Sequence, residues 1–276
     1  MITGAKKPEE EIIIDKIVKN CPKEYDPTER ILLVDADSLL YYACHFPEDS
    51  LMEFPTEEEQ IEEAKFRVGN KIQEITNNVE GWFNITRTLL FVGGDNNYRY
   101  LIYPEYKANR RNAVRSPYLP IVKKYIIEEL EAIPSHGSEA DDYLYEAWKL
   151  ADNNTVVATI DKDLKSSCYG IFYDYRPYDD TIGRFYTVTE EESRLNLAMQ
   201  LITGDTSDGV NLCPKKGQRY AEKVLSLGMT NYQFNKVLLN TYIDAWNKDI
   251  KVAKDKLRLC YKLLKLHTLK EIKEFI

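Results

Sequence analysis

The chain has 276 residues, 43% hydrophobic and 30% charged, enough for one large domain with a substantial core. No apolar run approaches the roughly 18 residues of a membrane span, and a net charge of −8, read as a bare sum, argues mildly against a nucleic-acid partner. Five scattered cysteines with no CxxC pair argue against a disulfide frame or zinc ribbon and fit a reducing compartment; with three histidines, a bound metal would be held by oxygen.

Residues 1–29 read as an N-terminal extension. Their apolar stretch, Ile12 to Ile14, is short and preceded by acids, so it is not a secretory signal and a cytoplasmic protein is expected (host cytoplasm if phage-encoded). "RILLVDADSLLYY" opens with an aliphatic run that stops at Asp35, as a buried parallel strand ends on a carboxylate. A helical pattern covers 56–80, and "TRTLLFVGGD" repeats the strand arrangement, ending at Gly93, Gly94 and Asp95. From Arg99 to Lys124 seven basic residues face a single acid, Glu105, so the average charge conceals a basic segment. Tyr98, Tyr100, Tyr103, Tyr106 and Tyr118 are interleaved with it. Cations for phosphates and rings for unpaired bases suit a strand end; a solvated helix face with tyrosines packed inward explains the segment equally well.

Helical patterns follow over 117–132, 139–151 and 189–203, separated by a third strand, "NNTVVATIDKD", ending at Asp161 and Asp163, and a fourth, "GIFYDY". Alternating strands and helices predict a mostly parallel α/β sheet, with ligands beyond the carboxyl ends of its strands. After about residue 209 only helical patterns remain, a helical C-terminal lobe following a domain over 30–208.

Five acidic groups are then expected at one sheet edge: Asp35, Asp95, the Glu139, Asp141 and Asp142 triplet, Asp161 with Asp163, and Asp205 with Asp208. Each alone has a plain structural reading, as helix cap or turn, and Asp37 and Asp174 read as structural. Together they form an oxygen-only set of the kind that binds Mg²⁺ or Mn²⁺, two of which can activate water and stabilise both oxygens of a phosphodiester displacement.

These stretches resemble the 5′ nuclease family, which includes flap endonucleases, the 5′ nuclease domain of bacterial DNA polymerase I and bacteriophage 5′–3′ exonucleases. The resemblance spans roughly residues 30–225, in "LLVDADSLLYY", "YRYLIYPEYKANR", "SEADD", "TIDKDL" and "GDTSDGV". It implies a PIN-like sheet flanked by helices, with a basic arch-like segment near 96–125. Arg99, Lys107 and Arg110 would serve catalysis and Tyr106 would stack on a base. Asp35, Asp95, Glu139, Asp141 and Asp142 would hold a first ion, and Asp161, Asp163, Asp205 and Asp208 a second.

The chain departs from the family in three places. Asp95 lies closer to Arg99 than the family's aspartate does, and Asp37 has no counterpart. In the family's helix–three-turn–helix, Gly217 is kept but Lys215 replaces the first glycine, so a K⁺ site there is less directly implied. Duplex contacts would fall to Lys215, Lys216, Gly217 and Arg219, besides Arg111 and Arg115. The expected activity is hydrolysis at 5′ flaps, nicks or free 5′ ends of DNA, or of RNA–DNA hybrids, by a monomer serving replication or repair beside replication proteins. A PIN-type ribonuclease acting on single-stranded RNA and a non-catalytic DNA-binding protein are the alternatives.

Overall fold

The structure is a computed structural model that describes residues 24–46, 54, 56–111, 113–152, 154–178 and 181–275. Most of the expected N-terminal extension therefore lies outside the described residues. Six strands form one sheet: β1 (Asp26–Asp35), β2 (Phe83–Asp95), β3 (Ile133–His136), β4 (Thr155–Ala158), β5 (Gly170–Tyr178) and β6 (Thr181–Val188). Their order is β3-β2-β1-β4-β5-β6, parallel throughout except for β6, which returns antiparallel to β5. The α/β class and the mostly parallel sheet agree with the sequence pattern; β3 and β6 were not anticipated by it.

Strand alternation divides the core. Leu32 and Val34 of β1, Leu90 and Val92 of β2, and Val156 and Ala158 of β4 face one side. There they meet α1 (Asp37–Ala43), α2 (Glu57–Glu80) and, beyond a short α3 (Arg99–Ile102), α4 (Leu119–Glu128). Leu33, Phe91 and Val157 face the other side, against Leu144, Tyr145 and Trp148 of α5 (Ala140–Leu150). Covering both faces is what turns these strands into continuous aliphatic runs rather than alternating ones. The start of α2 is fixed by a capping box: the Glu59 N–H donates to Thr56 Oγ1 at 3.2 Å and the Thr56 N–H to Glu59 Oε2 at 3.0 Å.

A third core lies in the helices after the sheet: α6 (Glu190–Thr203), α7 (Gln218–Val224), α8 (Asn231–Ala245) and α9 (Ile250–Leu264), ahead of α10 (Leu269–Lys273). Tyr106 belongs to that core, so the basic segment is clamped between the two halves. One close approach decides where β2 ends. A Cβ on Gly94 would sit 1.7 Å from the Ser135 carbonyl oxygen of β3. Gly94→Ala is therefore expected to force β2 and β3 apart and lower the melting temperature by several degrees or more, measured by thermal unfolding.

Candidate active site

The strand order reverses between β1 and β4, so the chain leaves a crevice at their carboxyl ends where connections diverge. Asp35 closes β1 there, buried, accepting from Thr159 Oγ1 at 3.0 Å and the Asp37 N–H at 3.2 Å. Burial, reinforced by Asp37 and Asp161, pushes its carboxyl up to about 7. Asp141, in the first turn of α5, is raised well above the carboxylate range by burial and by Asp35, Asp161, Glu139 and Asp37. Asp163 is likewise lifted to about 7 by burial, Asp161 and Asp205. Among the described residues, none of Asp35, Asp37, Asp141, Asp161 and Asp163 has a basic nitrogen within 4.0 Å.

The remaining acids are differently supplied. Glu139 resists burial and stays below its usual value because Arg99 and Lys107 adjoin it. Asp205 is buried, yet the Ser207 hydroxyl and the Lys162 ammonium hold it below the ordinary range. Its Oδ1 accepts the N–H groups of Ser207 at 2.7 Å and Asp208 at 3.1 Å, shaping the turn after Gly204. Gly204 has φ +73, and a Cβ there would meet the Val210 carbonyl oxygen at 2.1 Å, so this tight turn requires glycine. Asp208 takes Tyr106 Oη at 2.6 Å and Arg110 Nη2 at 2.9 Å. Lys107 has φ +51; its N–H donates to the Asp208 carbonyl at 2.8 Å and its ammonium contacts Glu139.

Two adjoining clefts of 540 and 100 Å³ share one wall, made of Lys107, Arg110, Glu139, Asp141 and Asp161. The larger is lined by Asp35 and Asp37 and by Arg111, Arg115 and Lys123; Asp163 and Asp208 line the smaller. Exposed Tyr41 and Tyr100 also line the larger cleft, so its aromatic surface comes from them.

Several expected roles need correcting. Asp95 is exposed and lines neither cleft; β2 runs on to pair with His136 of β3 and carries it past the crevice. Asp37, read as structural from sequence, stands in the larger cleft instead. Its Oδ1 accepts the Gly93 N–H at 2.9 Å, and a Cβ on Gly93 would lie 2.7 Å from its Oδ2, so glycine makes room for that carboxylate. The D-x-D spacing of Asp35 and Asp37 was the available signal.

Asp142 is fully buried and faces away from the clefts, bound by Arg99 Nη1 at 2.5 Å and Nη2 at 3.0 Å. Neighbouring helix positions point about 100° apart, so Asp141 and Asp142 cannot both reach one ion from a regular first turn. Arg99, 1% exposed, is committed to that pair; it backs the wall of the smaller cleft and presents almost no surface to a phosphate. Tyr106, also 1% exposed, cannot stack on a base; its hydroxyl lies between Asp208 and Glu139.

At the start of α7, Lys215 has φ +62, the backbone region a glycine would favour. Lys215, Gly217 and Arg219 are exposed, whereas Lys216 is engaged by Asp244 and the Tyr220 ring and offers no free charge.

Among the described residues, no three His, Cys, Asp or Glu side chains are gathered into a closed metal cage. The donor set nevertheless fits a hard divalent cation: clustered carboxylates, five of them with no basic nitrogen of a described residue within 4.0 Å, beside open volume for water. Mg²⁺ keeps several waters and takes only one or two carboxylates directly.

No protein-family model matches the sequence. Solved structures similar to the chain include the bacteriophage T5 5′-exonuclease with zinc ions, 14% identical, at TM-score 0.48, covering 90% of this chain and 96% of that one. The catalytic core of Rad2 in complex with DNA substrate is 14% identical at TM-score 0.45, over 87% and 79%. Human GEN1 in complex with Holliday junction DNA is 14% identical at TM-score 0.44, over 90% and 60%. Likenesses this distant carry no functional weight, so function rests on the chemistry of the site.

Proposed function

We propose that the protein is a divalent-metal-dependent phosphodiester hydrolase acting at or near 5′ ends of DNA, at flaps, nicks or RNA primers paired to DNA. The observation that carries this reading is the crowded set Asp35, Asp37, Asp141 and Asp161, none with a basic nitrogen of a described residue within 4.0 Å, sharing a cleft with Lys107 and Arg110. Asp35, Asp37, Asp141 and Asp161 would hold one Mg²⁺ or Mn²⁺ or its waters, and Asp161, Asp163 and Asp208 a second, with the buried Asp205 shaping the turn that carries Asp208. Bound there, the ions would supply Lewis-acid activation of water and of the phosphodiester.

The chain's own residues do the rest. Lys107 and Arg110 stand in the wall common to both clefts, so a phosphodiester crossing between them meets both cations as charge develops on it. Glu139 holds the Lys107 ammonium in that wall, and Asp208 holds Arg110. Arg111, Arg115 and Lys123 extend positive charge along the larger cleft, where a nucleic-acid backbone would lie. Exposed Lys215 and Arg219 offer a second contact to a duplex.

A direct comparison of 5′-flapped duplex, nicked duplex and single-stranded RNA, each with Mg²⁺ and with excess EDTA, tests the proposal. Cleavage of the DNA substrates in Mg²⁺ alone is expected. Exclusive cleavage of the RNA would replace the reading with a PIN-type ribonuclease.

The crowded carboxylates also set a pH dependence. Asp35 and Asp163 titrate near 7 in the folded chain against an ordinary value of 3.8, so the folded state binds more protons across that interval and loses stability as pH rises through it. His267 opposes them: burial lowers it from 6.5 to about 4, so its contribution is lost as pH falls. Two carboxyls outweigh one imidazole. In EDTA the melting temperature is expected to be higher near pH ~5.5 than near ~7.5, and Mg²⁺ should raise it more at the higher pH. A melting temperature that rises with pH in EDTA would remove the carboxylate repulsion from the account.

A further inference from the structure

We propose that residues 262–269, at the carboxyl end of α9, form a buried hub that positions the site's functional groups through Arg99 and Asp142, a role that rests on the reading above. Three separate segments bearing those groups are fastened to this one stretch.

The first is the start of α5. Asp142 takes the Arg99 guanidinium through both oxygens, the His267 N–H at 3.0 Å and the Glu139 N–H at 3.2 Å. One turn further on, Glu146 Oε2 accepts the Leu269 N–H at 3.0 Å. Asp141 adjoins Asp142 in the first turn and Glu139 is the N-cap whose N–H Asp142 holds, so anchoring Asp142 sets the rotation of α5 and the placement of both neighbours.

The second is the basic segment. Arg99 Nε donates to the Leu263 carbonyl at 2.9 Å, and the Tyr98 hydroxyl to the Lys262 carbonyl at 2.8 Å. These are the carbonyls a helix leaves unsatisfied at its C-terminus, and a guanidinium there also complements the helix dipole. Eight residues after Arg99 the same segment delivers Lys107 to the site.

The third is the turn that follows Asp161 and Asp163. The Leu266 N–H donates to Ser167 Oγ at 3.1 Å, directly behind the 3₁₀ turn Asp163–Ser166.

Stability alone is a poor reason for the arrangement. A buried ion pair such as Arg99–Asp142 loses much of its attraction to desolvation and is often replaceable by apolar side chains without loss. What such side chains could not reproduce is the directed set of hydrogen bonds that ties the three segments to one another. Arg99 and Asp142 are thus positioning residues: Asp142 lies behind the clefts, Arg99 backs the wall of the smaller one, and both act through Glu139, Asp141 and Lys107.

The test is Mn²⁺ binding to DNA-free protein, followed by electron paramagnetic resonance, for wild type, Asp142→Asn, Tyr98→Phe and Ser167→Ala. Supporting partners behind metal ligands typically change affinity by about 10–100-fold. Asp142→Asn is expected to weaken Mn²⁺ binding at least about tenfold. Each milder variant should weaken it several-fold, with DNA affinity in EDTA unchanged. Mn²⁺ affinity within twofold of wild type in the folded variants would overturn the proposal. Should Asp142→Asn fail to fold, Tyr98→Phe and Ser167→Ala decide the matter, since each removes a single hydroxyl. Wild-type protein that binds no Mn²⁺ would overturn the metal-dependent reading, and the hub with it.

Discussion

Replacing Asp141 by Asn is expected to lower the single-turnover rate of cleavage by at least roughly a thousandfold, the equivalent of about 4 kcal/mol of transition-state stabilisation. DNA affinity in EDTA should hardly change. The electrostatics add a second readout. The Asp141 carboxyl is raised well above its normal range by burial and by Asp35, Asp161, Glu139 and Asp37, so it is a liability to the fold at neutral pH. The neutral amide relieves that repulsion, and the metal-free variant should melt at a higher temperature than wild type. A site that trades stability for function behaves in this way. Loss of activity together with a lower melting temperature in EDTA would instead make Asp141 a structural residue, and full activity would remove it from the site.

Lys107→Ala should slow the chemical step by about 10²–10³-fold, the range found when one preorganised donor to developing charge is lost. Its backbone is already fixed, with φ +51 and an N–H bond to the Asp208 carbonyl, and alanine retains both. What disappears is the ammonium between Glu139 and Asp208. Lys107→Arg should recover part of the rate by restoring the charge in altered geometry. An unchanged single-turnover rate for Lys107→Ala would place the residue outside the reaction.

Much of the architecture was legible because a parallel sheet covered on both faces writes itself as aliphatic runs. β1, β2, β4 and β5 each carried such a run, and the helices over 57–80, 140–150 and 190–203 lie within a residue or so of their sequence patterns. β3 is only Ile-Pro-Ser-His, too short and polar to register, yet its pairing at Asp95 and His136 is what carries Asp95 out of the crevice. β6 returns antiparallel with no helix before it, a connection that the alternation of strands and helices does not announce.

At the site, the residue types were legible and the directions were not. The acidic triplet at the start of α5 divides its labour: Glu139 and Asp141 face the clefts, while Asp142 turns inward to Arg99. Helical geometry keeps the adjacent Asp141 and Asp142 from sharing a face, but nothing in the string shows which one turns away. Asp37 was hidden for the opposite reason. Its contribution depends on the absence of a side chain at Gly93, a residue more than fifty positions distant. The resemblance gave Tyr106 and Arg99 roles that need exposure, whereas the C-terminal helices cover both, an effect of long-range packing that no local pattern carries.

The proposed activity is that this acidic crevice cuts nucleic acid with the help of divalent ions. Cleavage-site mapping on one 5′-flapped DNA duplex, labelled separately at each end and incubated with Mg²⁺ or with EDTA, tests it most directly. Products that appear only with Mg²⁺ and map to the 5′ end or to the flap junction are the expected result. An intact substrate at high enzyme concentration in Mg²⁺, or the same products in EDTA, would contradict it.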